Sequence, residues 1–154
     1  MDVRLINPFL AATVHVLGTM AGIEPTPGKP FIRKDGASLG DVSAVIGITG
    51  ATSGSMALTF AQSTISAIVG KLLGIPCPEV NEELKDAVGE LTNMICGDAR
   101  KRLSEEGISL QAGIPTIVSG KDYSIAHITN GPCIAIPFAT THGAFVVEVA
   151  FNKD

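Results

Sequence analysis

Tryptophan is missing from this sequence, tyrosine occurs once, and six phenylalanines complete the aromatic set. The core must therefore be filled mostly by Ile, Val, Leu and Ala. Charge is scarce too: charged residues are 17% against 45% hydrophobic ones, a balance that excludes a disordered chain. Positive charge is scarcest, with a net charge of -4 and no Lys/Arg cluster to override it, so a nucleic-acid partner is not expected. The short basic runs, Lys29 with Arg33 and Lys34 and then Arg100 to Arg102, read as solvated faces. Cysteine is limited to Cys77, Cys96 and Cys133, widely separated and with no CxxC spacing, which suggests neither a disulfide framework nor a zinc site. His15, His127 and His142 are equally scattered, and a metal site built from them would need a convergence that the spacing does not predict.

Long hydrophobic runs are also lacking. The stretch Phe9 to Ile23 comes nearest, but it is interrupted by Thr13, His15 and Thr19 and falls short of the roughly 20 apolar residues of a membrane span. Asp2 precedes it and no small-x-small cleavage site follows, so it does not read as a signal peptide. A cytoplasmic protein with no membrane partner is expected. No linker or shift in composition divides the 154 residues, and one domain, 1–154, is the expectation.

Asn7-Pro8 reads as a helix start, with apolar residues Ile6, Leu10, Val14, Leu17 and Ala21 at helical spacing to about Met20. Residues 22 to about 40, rich in Pro and Gly, permit only a short strand around Phe31-Ile32. Val42 to Thr49 and Ser55 to Phe60 flank a Gly-bounded turn and predict a hairpin. A helix from about Ser63 to Leu73 follows, stopped by Gly74 and Pro76. Asn81 is a plausible cap for the longest element, a helix over about 82 to 105, with Glu82 and Glu83 at its positive end and Gly107 as its stop. Four β-prone runs close the chain: Pro115 to Ser119, Ser124 to Ile128, Cys133 to Phe138 and Ala144 to Phe151. This order predicts an α+β fold, helices packed on one face of a largely antiparallel sheet.

The long helix carries the unusual feature. Leu84, Val88, Leu91 and Ile95 make its apolar stripe, and Asp86, Glu90, Asn93 and Gly97 fall on the opposite side. Asn is unfavourable in mid-helix because its side chain competes for backbone hydrogen bonds. Its surface neighbours at i−4 and i+4 are Gly89 and Gly97, each costing about 1 kcal/mol relative to Ala. On residues alone two readings stand. The glycines serve close packing against a second helix, or they clear space around a working carboxamide.

The segment Asp86-Ala-Val-Gly-Glu90-Leu-Thr-Asn93-Met-Ile-Cys-Gly97 resembles the D-x-x-x-E-x-x-N-x-x-x-G signature of the CheC, CheX and FliY phosphatase family. Asp41 to Gly50 with Gly54-Ser-Met-Ala-Leu looks like the hairpin that precedes that helix, and Pro115 to Gly120 like the strand after it. The first helix has no Glu-x-x-Asn, so one signature is present where CheC and FliY domains typically carry two. A single site in a chain of this length is most similar to the CheX branch, described as homodimeric.

The resemblance implies hydrolysis of the aspartyl phosphate on a CheY-like response regulator in chemotaxis or a related two-component system. The acyl phosphate and its Mg²⁺ would belong to the regulator, and no cofactor of the chain's own is expected. Asn93 would hold the attacking water, since an amide can accept from it and donate beside it but is too weakly basic to take its proton. Glu90 would dock and orient the regulator through a cationic group. Asp86, Gly89, Thr92 and Gly97 would shape the contact. A non-catalytic interaction module and a small-molecule-binding domain are the competing expectations.

Overall fold

The apolar N-terminal segment forms helix α1, Val3–Ala21, with Ile6, Phe9, Ala12, Val16 and Leu17 buried. Its length and hydropathy would suit a membrane span, but it packs along the long third helix as a core element. The computed structural model of the chain describes residues 3–33, 40–76, 81–120, 123, 125–127 and 129–153. After α1 come β1 (Thr26–Pro27), β2 (Phe31–Arg33), β3 (Val42–Gly50) and β4 (Gly54–Phe60). Helices α2 (Gln62–Leu73) and α3 (Glu82–Glu105) follow, and then β5 (Leu110–Ala112), β6 (Thr116–Ser119), β7 (Cys133–Thr140) and β8 (Gly143–Phe151).

Among the described residues the strands form one antiparallel sheet in the order β1-β7-β8-β4-β3-β5, with β2 also on β7 and β6 also on β3. The β3–β4 hairpin pairs Val42 with Phe60 and Ile48 with Gly54, as the Gly-bounded turn requires. The three helices cover one face. Ala44, Ile46, Ile48, Met56, Leu58, Ile136, Val147 and Val149 point into that core by strand alternation and meet Phe9, Leu17, Leu84, Leu91 and Ile95. Phe60, Phe138 and Phe145 stack at one end, with ring centroids 5.0 to 5.1 Å apart. This is the α+β arrangement that the element order implied.

The other sheet face is small and polar: Ser43, Ser55, Ala57, Thr59, Ala135, Glu148 and Ala150 lie there. Most of them are buried, although no helix covers them. Tyr123 and residues 125–127 lie over it. Tyr123 Oη lies 2.7 Å from Ser43 Oγ, which in turn lies 2.8 Å from Thr59 Oγ1, and His127 Nδ1 is hydrogen-bonded to Ser55 Oγ. Sequence periodicity predicts a strand at Ser124 to Ile128. Instead Ile125 to His127 form no strand: Ile125 is buried and His127 is held by Ser55, while Ala126 is exposed; Ser124 and Ile128 lie outside the described residues.

Three further expectations need correction. α1 starts at Val3 rather than at the Asn7-Pro8 pair, and Pro8 lies inside it. Burying Ile6 and Phe9 outweighs the backbone bond that proline cannot make. Arg33 is not part of a solvated basic face: its guanidinium Nη1 reaches Glu148 Oε2 at 2.7 Å, both side chains buried. Lys29 is exposed, and Lys34 lies outside the described residues. β1 and β5 were not anticipated; at two and three residues they are too short for alternation to register.

Candidate functional site

α3 has the boundaries that its sequence predicts. Asn81 caps it, its side chain accepting from the Leu84 backbone N–H at 2.9 Å, and Glu82 and Glu83 lie in the first turn beside the positive end of the helix. At the other end Gly107 takes φ 84°, and its N–H donates to the Ser104 carbonyl at 3.0 Å. Leu84, Ala87, Val88, Leu91, Ile95 and Ala99 are buried against α1 and the sheet, which fixes the helix in rotation.

That rotation turns Asp86, Glu90 and Asn93 outward, all three exposed. Glu90 and Asn93 are one turn apart on the same face, with Cβ atoms about 5–6 Å apart by helix geometry. The carboxylate and the carboxamide therefore present together to whatever docks on this face. Gly97 lies one turn beyond Asn93, and a Cβ there would meet nothing within 4 Å. Packing against a second helix does not explain this glycine. Gly89 is different: a Cβ there would lie 3.8 Å from Ile117 Cδ1 and 3.9 Å from Pro115 Cγ, in ordinary contact. The N-terminal side of Asn93 is thus flanked by the chain entering β6, while the C-terminal side is open.

Thr92 does not reach the face. It is buried, and its hydroxyl donates to the Val88 carbonyl at 2.7 Å, so direct contact with a partner is excluded. Cys96 is also buried, and burial raises its thiol pKa to about 11 although Arg100 nearby pulls the other way. Arg100 is directed elsewhere, donating to the Leu110 carbonyl at 3.1 Å, and Arg102 pairs with Asp98 at 2.9 Å. Around Glu90 and Asn93 the exposed groups are therefore acidic or amide, suited to a cationic partner surface, with exposed Lys101 two turns beyond Asn93.

One residue escaped the sequence reading. Ile114, in the link between β5 and β6, is 90% exposed. It precedes Pro115, whose ring flanks Gly89, so it stands at the rim of the face that carries Glu90 and Asn93. A single isoleucine in a short linker has no periodicity to mark it. The cavity of about 470 Å³ lined by Arg33, His127 and Glu148 lies on the other sheet face and takes no part in this site.

Among the described residues this face shows no cluster of three metal ligands and no nucleophile paired with a base; its carboxylate and carboxamide suit it to position a small group against chemistry that another molecule brings. The family model described as "Chemotaxis phosphatase CheX" matches residues 42–139. A Thermotoga maritima protein named CheY-P phosphatase CheX is 32% identical over 126 residues, 81% of each chain. The crystal structure of a CheC-like superfamily protein from Shewanella sp. PV-4 superposes with a TM-score of 0.92 at 43% identity, covering 99% of this chain and 100% of that one. The CheX–CheY–BeF3–Mg2+ complex from Borrelia burgdorferi contains a chain matching at a TM-score of 0.80 and 25% identity, with 96% and 97% covered. On the family match over more than half its length, the chain belongs to the chemotaxis phosphatase CheX family.

Proposed function

We propose that this chain is a phosphatase that accelerates hydrolysis of the aspartyl phosphate on a CheY-like response regulator. Asn93 positions the attacking water and Glu90 docks the regulator. The observation that carries this reading is the outward face of α3, where Glu90 and Asn93 stand one turn apart, with open space at Gly97 beside them. A relative 32% identical is named a CheY-P phosphatase, and the Borrelia burgdorferi relative has been crystallised with CheY, BeF3 and Mg2+.

The regulator supplies the acyl phosphate and the Mg²⁺. What remains for this chain is to place a water in line with the P–O bond and to hold it there. The Asn93 carbonyl accepts one water hydrogen while the amide NH₂ remains free to donate to a phosphoryl oxygen. The water's proton leaves to the regulator or to solvent. Glu90 pairs with a cationic side chain beside the regulator's phosphorylation site and so sets the register of Asn93. Asp86 lies at the acidic rim, Ile114 adds an apolar contact, Gly89 and Gly97 shape the approach, and Thr92 acts only by holding the helix. The chain works as one cytoplasmic domain with a single active site and assembles as a homodimer.

The test is the decay of a phosphorylated CheY-like regulator in Mg²⁺ with and without the protein. The expected result is multiple turnover, with the decay rate rising in proportion to catalytic amounts of the protein. Binding to the phosphorylated regulator with an unchanged phosphate lifetime would make the α3 face a docking surface of an interaction module.

A further inference from the structure

On the sheet face away from α3, three side chains distant in sequence converge. A ring nitrogen of His127, Cys133 Sγ and a Glu148 carboxylate oxygen all lie within 4.8 Å of one another. Glu148 Oε1 is 3.3 Å from the Cys133 sulfur and 3.5 Å from His127 Nε2. Ligand atoms around a tetrahedral zinc-type ion are about 3.3–3.6 Å apart, given bonds of about 2.0 Å to nitrogen or oxygen and 2.3 Å to sulfur. Two of the three separations already have that value.

The histidine supplies an independent sign. Its side chain is only 5% exposed, and Nε2 has no hydrogen-bond partner among the described residues, its nearest polar neighbour being Glu148 Oε1 at the long separation of 3.5 Å. Nδ1 is bonded to Ser55 Oγ, which fixes the ring and aims Nε2 at the cluster, as a supporting hydrogen bond does for a metal-binding imidazole. Arg33 Nη1 holds Glu148 Oε2 at 2.7 Å, which leaves Oε1 directed at the cysteine and the histidine.

We propose that His127 Nε2, Cys133 Sγ and Glu148 Oε1 bind one thiophilic divalent cation of the zinc type. Binding breaks the Cys133 S–H bond, forms a metal–sulfur bond and releases that proton to solvent. The fourth position faces the cavity of about 470 Å³, whose wall also includes Ile32 and Arg33. The ion's two positive charges, the thiolate, the Glu148 carboxylate and the Arg33 guanidinium sum to a single positive charge. The fourth ligand is therefore an anion or hydroxide drawn from solvent. Because the site ties β7 and β8 to the covering segment and lies across the sheet from Asn93, the ion changes stability and leaves phosphatase turnover unaffected.

The experiment is a Co²⁺ titration of the reduced, metal-free full-length protein, with cobalt as the spectroscopic stand-in for zinc. One equivalent is expected to produce sulfur-to-cobalt charge-transfer absorption and tetrahedral d–d bands, both abolished by zinc, with about one proton released per ion. Cys133→Ser is expected to lose the charge-transfer band while Cys77→Ser and Cys96→Ser retain it, and His127→Gln to weaken binding about 10–100-fold. Absence of the band at one equivalent, or its persistence in Cys133→Ser, overturns the site. Should Cys133→Ser not fold, wild type decides: zinc shielding Cys133 from alkylation, mapped by peptide mass, supports the site, and equal rates with and without zinc overturn it.

Discussion

Asn93 is a poor helix residue, and its exposure on α3 brings no packing to offset that. Glu90, one turn before it, is exposed as well, and helix phase alone sets them side by side. This pair was legible in the sequence because the apolar stripe assigns every other position of the helix to inside or outside. Thr92 was not, since it sits between Leu91 inside and Asn93 outside and can satisfy its hydroxyl on the preceding turn, as it does at Val88. Cys96 lies three residues from Asn93 but is buried. With a pKa of about 11 its thiolate fraction at pH 7 is about 10⁻⁴. Iodoacetamide at pH 7 is expected to leave Cys96 unmodified in the native protein and to label it promptly in denaturant. Rapid native labelling would mean that this side of α3 opens to solvent.

At the scale of elements, the span of α3, about 82 to 105, is legible from Asn81, its acidic first turn and Gly107, because all three cues agree. α1 was misread at its start because Asn7-Pro8 has the form of a helix N-terminus and only the burial of Ile6 shows otherwise. The glycines of α3 separate under substitution. Gly97 has open space where a Cβ would go, so Gly97→Ala is expected to raise stability by about 1 kcal/mol, a gain of about 2–4 °C in Tm. The same methyl sits where the regulator must approach, so activity is expected to fall while the melting temperature rises. Calorimetry and the dephosphorylation rate, measured on one preparation, check both halves.

The whole molecule spends its two sheet faces differently. One meets the helices in an apolar core, and the other is closed by a short covering segment over the buried Arg33–Glu148 pair. Pairings 115 residues apart leave no local trace, which is why Arg33 read as surface charge. Burial alone would raise the Glu148 pKa; His127, Arg33 and Cys133 together outweigh it and hold the carboxyl below its ordinary value. Glu148→Gln removes the carboxylate opposite a buried guanidinium and is expected to cost about 3–5 kcal/mol, read by chemical denaturation. Ile114 belongs to this scale too, since it stands exposed next to Pro115, beside the α3 face proposed to meet the regulator. Ile114→Ser is expected to leave the melting temperature unchanged and to weaken regulator binding by about 1–2 kcal/mol, roughly tenfold, in a titration against the phosphorylated regulator.

The most direct measurement is the single-turnover rate of regulator dephosphorylation at saturating protein, wild type against Asn93→Ala, with binding affinity measured in parallel. Asn93→Ala is expected to bind the phosphorylated regulator as wild type does and to lose about 10²-fold or more in rate, since only the placement of the water is removed. An Asn93→Ala protein that saturates and turns over at the wild-type rate would contradict the assignment of the water to this side chain.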